Sequence, residues 1–167
     1  DAISYDPFYW LQKDGDDNLI SNIWELVLAI IPVSQDDKQP FWAETEQGIL
    51  AASLLYFFQC DLSFSAAVAL IANSTVTELS RMILDDGDST AKMLLGEIVN
   101  MKDETRATFD RGLRNKIMLF ATDPHISHAF RGKREDAPCF TWDDLDNSNI
   151  FLRLPAERIE QWSSAIN

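Results

Sequence analysis

The sequence predicts a mainly α-helical fold, a bundle of about six to seven helices with a short strand at each end. Three observations lead there. Glycine and proline number only six each in 167 residues, so the chain runs in long uninterrupted segments. Within those segments apolar residues recur at three- and four-residue spacing, the period that lays one stripe along a helix. Between them stand residues that start or stop helices: a hydroxyl or aspartate before a run, proline at its first position, Asp-Gly at a break.

In chain order, "AISY" near the start is short, apolar and followed by Asp-Pro, which predicts a strand. "SNIWELVLAII" places Ile23, Leu26, Val27, Ile30 and Ile31 on one helical stripe, and Pro32 ends it. The polar "VSQDDKQ" is a loop, and Pro40 opens "PFWAETEQGILAASLLYFFQ". There Ile49, Leu50, Ser53, Leu54, Phe57 and Phe58 share a broad face that Ala51, Ala52 and Leu55 widen. A helix apolar nearly all round belongs at the centre of a bundle. Phe41 and Trp42 at its start are expected as core anchors, contributing about 1.5–3 kcal/mol each on burial, the alternative being a surface that a partner reads.

Ser63 is placed to cap "FSAAVALIA", and Thr75 with Glu78 forms a capping-box pattern before "VTELSRMIL". Asp86-Gly87 breaks the chain ahead of "STAKMLLGEIVNM". A long helix follows from about Asp103, with Phe109, Leu113, Ile117 and Phe120 on its core side. Asp123-Pro124 caps and opens the short "HISHAF". Ile150–Leu154 reads as a buried strand closed by Pro155, and "PAERIEQWSSAIN" as a helix still running at the last residue. The two end strands are expected to pair with each other or to belong to a sheet whose other strands lie elsewhere. The blunt ends suggest a piece of a larger protein.

Size and charge narrow the function. A chain of this length forms one domain with a core that needs no staples. Its net charge of −13 repels phosphate backbones and anionic membrane surfaces at long range. No apolar run reaches membrane-spanning length; "IWELVLAII" is too short and carries Glu25. Cys60 and Cys139 are expected as reduced thiols.

No GxxxxGK[ST], GxGxxG or HExxH pattern is present, so nothing here cradles a nucleotide or builds a zinc-protease site. His125 and His128 lie three apart with Cys139 downstream, but the fourth soft ligand would be the distant Cys60. They read as partly exposed histidines, and no metal is expected. The carboxylates cluster in loops ("DGDD", "WDDLD"), where solvation accounts for them, and "DGDDN" lacks the glutamate of a calcium loop. Neither catalytic nor cofactor-binding residues are identified.

The charge is unevenly spread. From Lys102 to Arg134 there are eight basic and four acidic residues, a net of +4, which leaves −17 for the rest. Arg106, Asp110 and Arg114 share one helical stripe at i, i+4 spacing, which predicts a solvated face with Arg–Asp pairs. The functional alternative is a basic docking surface of Arg106, Arg111, Arg114, Arg131, Lys133 and Arg134 for an acidic partner or a nucleic-acid strand. Interleaved aromatics for base stacking are missing from that face.

Four segments in order, "YDPF", "PFWAETEQGILAASLLYFF", "NKIMLFATDP" and "TWDDLDNSNIFLRLPAERIEQW", resemble the conjugative coupling proteins of type IV secretion systems, the TraG/TraD-like family, most closely the Gram-positive type. The resemblance covers nearly the whole chain. It implies an all-α domain inserted in a RecA-like nucleotide-binding domain of a membrane-anchored, hexameric ATPase. Residues 1–8 would be the segment leaving the parent domain, 9–148 the all-α substrate-recognition domain, and 149–167 the strand and helix re-entering the parent. By resemblance the domain faces the cytosol on the inner side of the plasma membrane, itself soluble and without membrane contact. Its implied partners are a relaxase or an accessory relaxosome protein with the transferred DNA; the alternative is direct single-stranded DNA binding. ATP and Mg would belong to the parent, whose ATPase motifs match no position here, so the fragment is not expected to be an enzyme.

Overall fold

A computed structural model of the chain describes residues 3–13, 15–33, 38–132 and 138–166. The fold is mainly helical. In order run β1 (Ser4–Tyr5), α1 (Pro7–Lys13), α2 (Leu19–Ile30), α3 (Pro40–Gln59), α4 (Phe64–Asn73), α5 (Val76–Asp86) and α6 (Ser89–Leu94). They are followed by α7 (Asp103–Thr122), α8 (Pro124–Ala129), β2 (Cys139–Phe140) and α9 (Ser163–Ile166).

The near-continuous apolar character of α3 does what it predicts. Every residue from Ile49 through Leu55 is buried, and the helix touches α2, α4, α5, α6 and α7. Two of its polar residues are buried with partners. Gln47 Nε2 donates to the carbonyl of Ile31 at 2.9 Å, just past the end of α2, and Ser53 Oγ donates to Ile49 O at 2.7 Å. The third is Glu46, whose carboxylate takes the Lys116 ammonium from α7. Gly112 makes that approach possible, because a Cβ at this position would collide with Glu46 Oε1.

The helix starts are held by the side chains expected of them. Ser63 Oγ accepts from Ala66 N at 3.1 Å, and both halves of the Thr75–Glu78 capping box form. Asp123 accepts from the amides of His125 and Ile126, with Pro124 at the first helical position. Asp6-Pro7 repeats the same device at α1, where Asp6 Oδ1 accepts from Phe8 N at 3.0 Å. Gly132, at φ +73°, lies so close to Asp6 that no side chain would fit between them. The chain leaving α8 is therefore packed on the start of α1.

Three expectations are corrected, the first being that "PAERIEQWSSAIN" is one helix: it holds a 3-10 turn at Ala156–Arg158, then turns, and is α-helical only over Ser163–Ile166. The second strand is Cys139–Phe140, parallel to β1 in the register Ser4↔Cys139 and Tyr5↔Phe140, and not Ile150–Leu154. The latter run is irregular, with Phe151 89% and Leu152 71% exposed. Its apolar composition gave strand propensity, but strand structure needs a neighbour to complete its hydrogen bonds. Phe41 and Trp42 are likewise not core anchors, being 46% and 42% exposed. They lie over the fully buried Phe109 of α7, Trp42 at 5.0 Å between ring centroids, and so cover the edge of the core without entering it.

Candidate functional site

Two surfaces compete as the functional one: the basic face of α7, and the flank where the terminal segments meet. On α7 the arginine stripe turns out to be engaged. Asp110 Oδ1 accepts from Val76 N at 2.6 Å, and Arg114 Nε donates to Ala72 O at 3.1 Å. An anion thus sits at the N-terminal end of α5 and a cation at the C-terminal end of α4, each complementing the local helix dipole. One turn of α7 clamps the α4–α5 corner. Arg106 Nε donates to Met101 O at 3.0 Å, and its guanidinium pairs with Asp103 at 3.2 Å. Among the described residues Asp110 pairs with neither arginine, contrary to the i, i+4 expectation, because the helix ends on either side are better partners.

The remaining basic candidates are dispersed. Arg111 is exposed and makes no hydrogen bond or ion pair among the described residues. Arg131 is half-buried beyond α8, its Nη2 3.2 Å from His128 Nε2. Lys133 and Arg134 lie outside the described residues. Along the axis of α7 alone, Arg106 stands roughly 24 Å from the helix end that leads to Arg131. The structure therefore brings Arg106, Arg111 and Arg114 together on one helix and leaves Arg131 at the other end of the body.

The second surface is the terminal flank. Asp123 anchors it: besides capping α8, its Oδ2 accepts from the indole of the buried Trp162 at 3.2 Å and faces Arg158 at 3.6 Å. Burial pushes the Asp123 carboxyl up, but the hydrogen bonds from Ile126, His125 and Trp162, with the Arg158 charge, outweigh it and hold the group below its ordinary value of 3.8. An aromatic cluster lies alongside. Tyr5 stacks on Phe140 at 5.4 Å and meets Phe130 and Trp142 edge-on, and burial raises its phenol.

Between this cluster, α2 and α8 opens a groove of about 710 Å³. Its walls include Tyr5, Leu26, Phe130, Phe140, Trp142 and Leu152, and among the described residues the only charged side chain lining it is Glu25. The dimensions are those of a binding cleft. Sequence reasoning missed it, because its walls come from eight separate stretches of the chain. The one available signal was the exposed apolar pair Phe151-Leu152 beside "WDDLD".

Among the described residues no group of three His, Cys, Asp or Glu side chains could hold an ion. His125 lies beside Trp162, His128 beside Arg131, and Cys139 Sγ is 3.1 Å from Ser4 Oγ. At the far end of α3, Tyr56 bonds Asp86 and its phenol is pushed up to about 12, by burial first and then by Cys60 and Asp86. That contact ties α3 to the end of α5. No helix among the described residues is long and apolar enough to cross a membrane. Comparison with protein-family models, with curated proteins and with solved structures finds no match to this chain.

Proposed function

We propose that this chain is the substrate-recognition domain of a conjugative coupling protein, docking a relaxase or an accessory protein together with its DNA for type IV secretion. The ordered resemblance of its four segments motivates the family. The observation that carries the docking role is that both terminal segments lie on one flank of the helical body, β1 beside β2 and α8, and α9 against α2. A helical module whose two connections leave from one side suits insertion into a RecA-like parent. In this reading the fragment works as a binding module, and ATP and Mg belong to the parent ATPase on the cytoplasmic side of the membrane.

Direct single-stranded DNA binding is the second reading, favoured by the exposed Arg111 on α7. Against it stand the net −13 and the engagement of Arg106 and Arg114 in helix-end contacts. The test is titration of the domain with purified relaxase, accessory protein and labelled single-stranded DNA at two salt concentrations. Docking predicts saturable protein binding with DNA binding weak and steeply salt-dependent. Tight DNA binding without protein would replace the first reading with the second. Calorimetry with Mg-ATP should show no binding; a one-to-one complex at micromolar affinity would refute the binding-module assignment.

A further inference from the structure

The groove on the terminal flank and the charge around it point to a particular class of ligand. Its floor and walls are apolar and aromatic, from Tyr5, Leu26, Phe130, Phe140, Trp142 and Leu152. Two of the segments carrying those walls are acidic, while the one carrying Phe130 also holds Arg131. Residues 15–33, which include α2, hold Asp16, Asp17 and Glu25 and no lysine or arginine. Residues 142–160 hold Asp143, Asp144, Asp146, Glu157 and Glu160 against Arg153 and Arg158, and Arg158 already faces Asp123. Each of these two segments is thus net −3, in a chain that is −13 in all.

We propose that this groove receives a cationic amphipathic segment of a partner protein, its apolar side chains in the cleft and its lysines or arginines against the acidic margins. The inference rests on the docking reading and assigns it to the flank instead of to α7. Three features select this occupant. The cleft, at about 710 Å³, takes several apolar side chains from one face of a helix, the usual helix-in-groove arrangement. Its exposed rim residues Trp142 and Leu152 are suited to contact such a face. The negative margins favour a cationic segment at long range and disfavour nucleic acid or a second copy of this acidic chain.

The probe is a synthetic helical peptide with leucines at i, i+3, i+4 and i+7 and lysines on the other face. A glutamate-faced counterpart of the same leucine pattern and a single-stranded oligonucleotide are the controls. Binding is read by tryptophan fluorescence, since Trp10 and Trp142 line the groove. The cationic peptide should bind at least about ten-fold more tightly than the anionic one. Leu152→Glu and Glu25→Lys alter exposed side chains and should leave the circular dichroism spectrum unchanged. Each should weaken the cationic peptide by about ten-fold, and Glu25→Lys should improve the anionic one. The proposal fails if the cationic peptide does not bind, if both peptides bind alike, if neither substitution matters, or if only the oligonucleotide binds. Relaxase titrated against the same variants separates this inference from the one beneath it. Relaxase binding that ignores both substitutions overturns the groove and keeps the docking role. Peptide binding with no relaxase binding keeps the groove and overturns the docking role.

Discussion

The helical body and the terminal flank are built on different principles. Around α3, six consecutive helices bury a common core, and each corner is closed by a specific polar contact: Gln47 on α2, Asp110 and Arg114 on α4–α5, Tyr56 on α5. The flank has a two-residue parallel strand pair, 3-10 turns and long irregular stretches, fastened chiefly through Trp162 and Asp123. Parallel pairing is ordinarily found inside larger, covered sheets. The body buries most of its apolar residues, with Met93, Phe41 and Trp42 among those left exposed, and the flank, with far less core, leaves Phe151, Leu152 and Trp142 facing outward. Side chains left outside the core are available to a partner.

The largest effect should come from the body. Phe109→Ala removes a fully buried ring that also supports Phe41 and Trp42, and should cost about 3–5 kcal/mol. Denaturant melts monitored by circular dichroism read it directly. A loss below 1 kcal/mol would mean that α3 and α7 do not pack as described.

Gly112→Ala should cost about 1–2 kcal/mol by pushing the Glu46 carboxylate off Lys116, a loss that the better helix propensity of alanine partly offsets. Combining it with Glu46→Ala should recover part of the loss, since the colliding carboxylate is gone and Lys116, half-exposed, can return to water. Strict additivity in the double-mutant cycle would place the strain elsewhere.

Trp42→Ala should cost about 1–2 kcal/mol, less than a core aromatic, because nearly half of the residue is already in water. A thermal shift as large as that of Phe109→Ala would restore it to the core.

On the flank, Asp123→Ala should cost about 0.5–2 kcal/mol by removing the cap of α8 along with the Trp162 and Arg158 contacts. The carboxyl is depressed in the folded state, so its contribution is present above the unfolded value of 3.8 and is lost as pH falls through the lower folded value. The variant should therefore show a shallower decline on the acid side of the stability curve below about pH 4. An unchanged acid limb would show that Asp123 does not fasten the flank. Phe151→Ser, smallest of all, should stay within about 0.5 kcal/mol.

How much of this was legible follows the same division. The body was, because its helices carry both periodicity and punctuation: Ser63, Thr75 with Glu78, and Asp123-Pro124 each cap the helix they precede. The identical Asp6-Pro7 signature was available for α1 but was read only as the end of a strand. On the flank the first strand is legible in "AISY", but its partner Cys139–Phe140 has no period to detect, and Ile150–Leu154 has strand composition without a partner. The arginine face on α7 shows a different limit. Spacing places Arg106, Asp110 and Arg114 on one stripe, but which helix ends lie within reach depends on the tertiary fold.

Hydrogen exchange of the domain, alone and with the cationic amphipathic peptide, tests the division most directly. In the free protein the amides of α3 from Leu50 to Phe57 should exchange only through global unfolding. Those of Tyr5, Phe140 and residues 142–162 should exchange through local opening, at least about 100-fold faster. Added peptide should then slow exchange in α2, β1 and residues 142–154 while leaving α7 unchanged. Equal protection of flank and body in the free protein, or peptide-induced protection on α7 in place of the flank, would contradict the account.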